Sequence, residues 1–112
     1  MKLSRETTVI SPDKLINYVL NLHHNEGGSK ALFLREIGYN QSNWEILEND
    51  LREQHLKSEA TPGKSSPFGQ KFEITAPIIG PNGEERMIKT IWMIKNNETF
   101  ARFITLIPEK KQ

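Results

Sequence analysis

Three histidines, fifteen lysines and arginines and no cysteine bound the chemistry open to this 112-residue chain. Histidine takes and returns a proton near neutral pH, and fixed cations neutralise a crowded phosphorus centre. His23 and His24 are followed by Gly27-Gly28 and then Lys30, so one loop carries a proton carrier, a cation and the free amides of a helix start. That grouping suits a phosphate. A histidine exposed at a helix C-terminus also has a plainer use, complementing the dipole. His55 falls on the apolar line of a later helix, where a hydrogen-bonded core histidine is the leading expectation and catalysis the alternative.

Other chemistries lose their footing on residue type and spacing. Without cysteine there is no disulfide framework, thiolate metal site or Cys nucleophile. Adjacent histidines point in different directions and no helical His pair occurs, so no metal or cofactor is expected. Gly63-Lys64-Ser65 imitates the end of a P-loop, but Ser58 stands where the earlier glycine is required and no strand is expected before it. No G-x-S-x-G elbow exists, which removes acyl-enzyme hydrolysis. Glu84-Glu85 falls in a turn, as solvated charge. Fifteen cations against fourteen Asp and Glu leave a formal charge of +1, against an electrostatic coat for DNA and compatible with a local basic patch. No run nears the roughly 18 apolar residues of a membrane span, and the start MKLSRETTVI lacks the apolar centre of a secretory signal. A soluble, cytoplasmic protein without membrane contact is the expectation.

The elements that would position these groups read as helices first and strands second. Thr7 to Ile10 is a β-branched run suited to an edge strand. Ser11-Pro12-Asp13 opens a helix with Leu15, Tyr18, Val19 and Leu22 as its stripe. Ser29 caps a second helix with Phe33, Leu34 and Ile37 inward and Gly38 as its left-handed stop. Ser42-Asn43-Trp44-Glu45 forms a capping box for a third, on which Trp44, Leu47, Leu51 and His55 align. The fold class is α+β: three N-terminal helices packed on one face of a C-terminal antiparallel meander of three to four strands. Residues 1–112 make one domain, with a helical half at about 11–58, a mobile loop at about 59–67 and a sheet half at about 68–108.

Turn signals at Pro81-Asn82-Gly83 and Asn96-Asn97 set an expected register. With two-residue or four-residue turns, Trp92 faces Ala101, Ile88 faces Thr105, and Ala76 faces or nearly faces Lys89. One face then collects Phe72, Ile74, Ala76, Ile78, Met87, Ile91, Met93, Phe100, Ile104 and Leu106 against the helices, with Lys89 and Arg102 as its charges. The other leaves Lys71, Glu73, Thr75, Arg86, Thr90, Trp92, Phe103 and Thr105 open for binding. An odd turn or a bulge exchanges these assignments. Cations, hydroxyls and an aromatic on one small sheet suit RNA, whose bases stack on aromatics while phosphates take charged donors.

Several segments also resemble a known family. PDKLINYVLN, HHNEGGSKALFLREIGY, the W-x-x-L-x-x-x-L of the third helix, FGQKFEITAPIIGPNG, KTIWMI and ARFITLIP are similar to a family of small bacterial and archaeal domains of unknown function. Its pattern is roughly K-L-x-x-Y-L-L-N, G-x-x-K-A-x-F-F, T-V-W and P-R-x-V-T-x-Y-P, and the likeness spans almost the whole chain. The chain departs from it at Ala101, where a proline is usual, and at Ile107, where an aromatic is usual.

That resemblance implies a member of toxin and antitoxin gene neighbourhoods, in a fold group similar to the barnase, EndoU, colicin and RelE ribonucleases. It marks Lys30, Trp92, Arg102 and Thr105 as motif residues, with His24 just before the glycines. The leading expectation is therefore a metal-independent toxin-type endoribonuclease in which His24, or else His55, removes the ribose 2′ proton. Lys30 and Arg102 stabilise the phosphorus transition state, Thr105 and Thr90 position the phosphate, Trp92 stacks a base, and Lys71 and His55 complete the substrate contacts. An antitoxin or immunity protein is the implied partner. The alternative is a noncatalytic interaction module that binds a partner, or a second copy of itself, through the aromatic sheet face.

Overall fold

Pro12 at the first helical position fixes the start of α1 (Pro12–Lys14), which widens at once into a π-turn (Leu15–Val19) closed by the Leu20 amide donating to the Leu15 carbonyl at 2.9 Å. The computed structural model describes residues 1–109, so the last three residues of the expected domain lie outside the described residues. α2 (Gly28–Glu36) begins with Gly27 as its cap rather than Ser29, and Gly38, at φ 104°, ends it in the left-handed conformation expected. The capping box before α3 (Trp44–Asp50) sits two residues earlier than its sequence signature. Asn40 Oδ1 accepts from the Ser42 and Asn43 amides, and Asn43 Oδ1 accepts from the Asn40 amide at 2.8 Å. This forms a 3₁₀ turn (Gln41–Asn43) that feeds α3, which itself continues as a π-turn (Leu51–His55).

Four antiparallel strands follow, β1 (Thr61–Ser66), β2 (Gly69–Ile79), β3 (Glu85–Lys95) and β4 (Ala101–Pro108), in the order β1-β2-β3-β4. The fold is α+β, with three short helices and a four-stranded sheet. β1 occupies the stretch expected as a mobile loop. Its polar sequence carries no apolar signal, but Thr61 and Pro62 pair with Glu73 and Phe72, and Gln70 Nε2 donates to the Gly63 carbonyl at 2.9 Å. Backbone pairing supplies there what side-chain burial does not. Val9 forms a parallel bridge along the free edge of β4, donating to Ala101 and accepting from Phe103.

The register differs from expectation at both turns. Ile79 pairs with Glu85, leaving the five residues 80–84 in the turn, so Ala76 lies opposite Ile88. The turn takes this odd length because it docks on the end of α2. A Cβ at Gly80 would stand 1.9 Å from the Ile37 carbonyl oxygen, and Asn82 Nδ2 donates to the Glu36 carbonyl at 2.9 Å. At the second turn Ile94 pairs with Ala101, and a bulge at Ile104 then lets Trp92 face Phe103 while Ile91 faces Thr105. β2 keeps its expected inward set, Phe72, Ile74, Ala76 and Ile78. On β3 the inward residues are Ile88, Thr90 and Trp92, and on β4 they are Ala101, Phe103 and Leu106. Thr90, Trp92 and Phe103, expected on an open face, are core residues packed in one cluster or against it with apolar side chains of all three helices. The outer face instead carries Lys71, Glu73, Met87, Lys89, Ile91 and Met93, all partly exposed.

His55 is fully buried, and its two ring nitrogens are both engaged. Nδ1 lies 2.9 Å from Thr90 Oγ1 and Nε2 lies 3.0 Å from the Ala76 carbonyl oxygen, while Trp92 Nε1 donates to the same Thr90 oxygen at 2.7 Å. A carbonyl only accepts, so Nε2 carries the hydrogen, Thr90 donates to Nδ1 and Trp92 donates to Thr90. Every member is satisfied with a neutral ring. Burial pushes the His55 pKa below its ordinary 6.5. Since the unfolded chain then binds the extra proton, stability is expected to fall as pH drops below 6.5, with a slope of at most about 1.4 kcal/mol per pH unit from this group. Urea unfolding between pH 5 and 8 measures it, and His55→Gln is expected to be less stable at pH 8 yet flatter across that window.

Candidate functional site

An open cleft of about 400 Å³ lies between α1, the turns that precede α2, and the β4 bulge. Tyr18 forms its floor. The phenol oxygen stands 2.9 Å from Thr105 Oγ1, and the His24 ring meets the phenol edge to face at a centroid distance of 4.9 Å. Lys14 Nζ and Lys30 Nζ approach the same ring, at 5.5 and 6.0 Å from its centroid. Each element has a local reason for its contribution. Lys14 and Tyr18 are four residues apart, hence on one helical face. Gly27 lets its backbone touch Tyr18: a Cβ there would stand 2.0 Å from the Tyr18 carbonyl oxygen. The bulge turns Ile104 and Thr105 to the cleft wall.

His24 is held in one tautomer. Its Nδ1 accepts from the backbone amides of Glu26 at 3.0 Å and Gly27 at 2.9 Å, so the neutral ring carries its hydrogen on Nε2 and offers the cleft a donor. Asp13, on the same wall, accepts from Asn17 Nδ2 through Oδ1 at 2.6 Å. Lys14, His24 and the hydroxyls of Tyr18 and Thr105 share the cleft wall with the carboxylates of Asp13 and Glu26, while Lys30 stands beside the Tyr18 ring without lining the cleft. One ammonium ion, an imidazole N–H and two hydroxyls are donors suited to the oxygens of a phosphate.

The expected residues therefore divide. His24, Lys30 and Thr105 meet around Tyr18. Arg102 stands beside a neighbouring cavity, stacked 5.0 Å from the Phe100 ring centroid and bound to Glu98 by two bonds of 2.9 and 2.7 Å. That guanidinium holds the Glu98 carboxyl below its usual range. Lys71 is on the outer sheet face, opposite Met93 and away from the cleft. Thr90, Trp92 and His55 have no exposed surface with which to bind a substrate. His23 points to a separate hollow near Arg35 and Gln41. Sequence reasoning missed Tyr18, read as a member of an apolar stripe, and Lys14. The signal was their spacing: a cation one helical turn before a tyrosine, ahead of a His-Gly-Gly-Lys loop. Among the described residues no group of three His, Asp or Glu is placed to hold a metal ion, and no helix is long and apolar enough to cross a membrane.

The fold has a counterpart among solved structures. A chain of a contact-dependent growth inhibition toxin–immunity protein complex from Klebsiella pneumoniae 342 superposes with a TM-score of 0.66 at 19% identity, covering 90% of this chain and 99% of that one. No curated protein matches the sequence. The family profile described as a domain of unknown function (DUF6883) matches residues 2–110. The glycine-lysine block around α2 and the closing strand lie inside that span, and the chain belongs to this family.

Proposed function

We propose that the protein is the toxin of a toxin–immunity pair and cleaves RNA without a metal ion, through attack of a ribose 2′ oxygen on its own phosphate. The observation that carries this reading is the meeting of Lys14, His24 and Thr105 with Tyr18 in a single cleft, with Lys30 beside the same tyrosine ring. The likeness to a chain of a growth-inhibition toxin–immunity complex supports it. Lys14 and Lys30 neutralise the phosphorus centre, where preorganised charge usually lowers the barrier more than any other effect. His24, through Nε2–H, and Thr105 hold the non-bridging oxygens. Because the Nδ1 lone pair of His24 is engaged by two amides, we give the 2′ proton to the Asp13 carboxylate, oriented by Asn17; the P–O5′ bond breaks, a 2′,3′-cyclic phosphate remains, and the leaving 5′ oxygen takes its proton from water in the open cleft. The implied partner is an immunity protein.

Controlled expression with and without the neighbouring gene, followed by growth and total RNA integrity, tests the reading. Growth arrest with cut RNA is expected, and Lys30→Ala is expected to lower cleavage in vitro about 100-fold. Intact RNA with normal growth overturns it. A second reading, a noncatalytic member of such a pair, is favoured by the outer sheet face, where Met87, Ile91 and Met93 are partly exposed and Ile107 more so. It predicts tight partner binding through that face and no RNA cleavage. Pairing of two copies through Trp92 and Phe103 is excluded by their burial.

A further inference from the structure

The cleft continues past Thr105. A second cavity of about 350 Å³ has Ser11, Lys95 and Arg102 on its far wall and shares Asp13, Lys14 and Ile104 with the first. Ile104, the bulged residue, is thus the partition between two chambers of one groove, and Lys14 stands at the junction. Lys14 lines both chambers, with Lys30 beside the Tyr18 ring at the first and Lys95 and Arg102 on the wall of the second. Arg102 is fixed by Glu98 on one side and Phe100 beside it, yet Glu98 uses only Nε and Nη2 of its five N–H donors. Cations repeating along a groove match phosphates repeating along a single strand, whereas a mononucleotide fills one chamber alone.

We propose that the second chamber is a subsite for the adjacent phosphate of single-stranded RNA, so that the strand runs along the β4 bulge with Lys14 between two phosphates. This rests on the RNA reading above. It gives Arg102 and Lys95 the task of holding the strand in place, one chamber away from the reacting phosphorus.

The test is binding of uncleavable 2′-O-methyl oligonucleotides, two and six nucleotides long, followed by fluorescence anisotropy over a range of salt. The six-nucleotide strand is expected to bind more tightly than the dinucleotide. Lys95→Gln and Arg102→Gln are each expected to weaken it about tenfold and to reduce the slope of log K against log salt by about 0.7, the value of one lost phosphate contact on a single strand. Lys57→Gln, at an exposed lysine outside the groove, is expected to change neither, and melting curves show that each variant is folded. Equal affinity and slope for wild type and both groove variants overturns the subsite while leaving cleavage intact. An equal loss in Lys57→Gln also overturns it, since net charge then explains the effect. Absence of any RNA binding or cleavage by the wild type removes the function and the subsite together.

Discussion

Thr90→Val is expected to cost about 2 to 4 kcal/mol of stability, although the two side chains have nearly the same shape. The hydroxyl links two buried groups: it accepts from Trp92 Nε1 at 2.7 Å and meets His55 Nδ1 at 2.9 Å. Valine leaves an indole N–H and an imidazole lone pair without partners in the core, and each carries a desolvation penalty. His55 has no escape by changing tautomer, because Nε2 must keep its hydrogen for the Ala76 carbonyl. Urea unfolding at pH 8 measures the loss. A double-mutant cycle with Trp92→Phe sharpens the test, since removing both partners is expected to cost less than the sum of the single losses. At temperatures where the variant is folded, the proposed RNA cleavage is expected to keep its KM. A raised KM with unchanged stability reverses the assignment and returns Thr90 to substrate contact.

The same residues show why part of the fold was legible in the sequence and part was not. Period-two alternation on β2 names its buried face correctly, and the Trp44, Leu47, Leu51, His55 line names the packed side of α3. β3 has apolar residues at consecutive positions, so its face is set by the preceding turn rather than by its own pattern. Pro81-Asn82-Gly83 signals a turn without giving its length. That length comes from Gly80 and Asn82 meeting the end of α2, a contact between segments some forty residues apart. One unpaired residue more than a four-residue turn exchanged Trp92 and Thr90 from open face to core. At the candidate site, His24 and Lys30 were singled out from one compact loop, and Thr105 from the sheet face expected to be open together with the closing motif; all three lie around Tyr18. Tyr18 was not, because a tyrosine at helical spacing reads as core until the loop that packs on it is placed.

That packing supplies the second large effect, Gly27→Ala. Gly27 has φ −86° and ψ −18°, a conformation open to any residue, so the demand for glycine comes from proximity alone. An added Cβ would stand 2.0 Å from the Tyr18 carbonyl oxygen and 2.9 Å from Tyr18 Cδ1. Neither neighbour can withdraw freely. The Tyr18 carbonyl accepts from the Asn21 amide at the end of the π-turn, and the Tyr18 phenol is tied to Thr105. The loop must move instead, which withdraws the Gly27 amide, one of the two donors to His24 Nδ1, and loosens the hold on the ring. A loss of about 3 kcal/mol is expected from the overlap. The proposed RNA cleavage is expected to fall by about 100-fold or more even where the variant is folded, since the groups proposed to hold the phosphate no longer converge. Gly83→Ala is the matched control, with φ 87° and nothing within 4 Å of the new methyl, so conformational strain is its sole penalty and activity is retained. Thermal melts with cleavage assays at a common low temperature separate the two losses. Equal behaviour of the two alanine variants would mean that contact between the His24 loop and Tyr18 does not build the cleft.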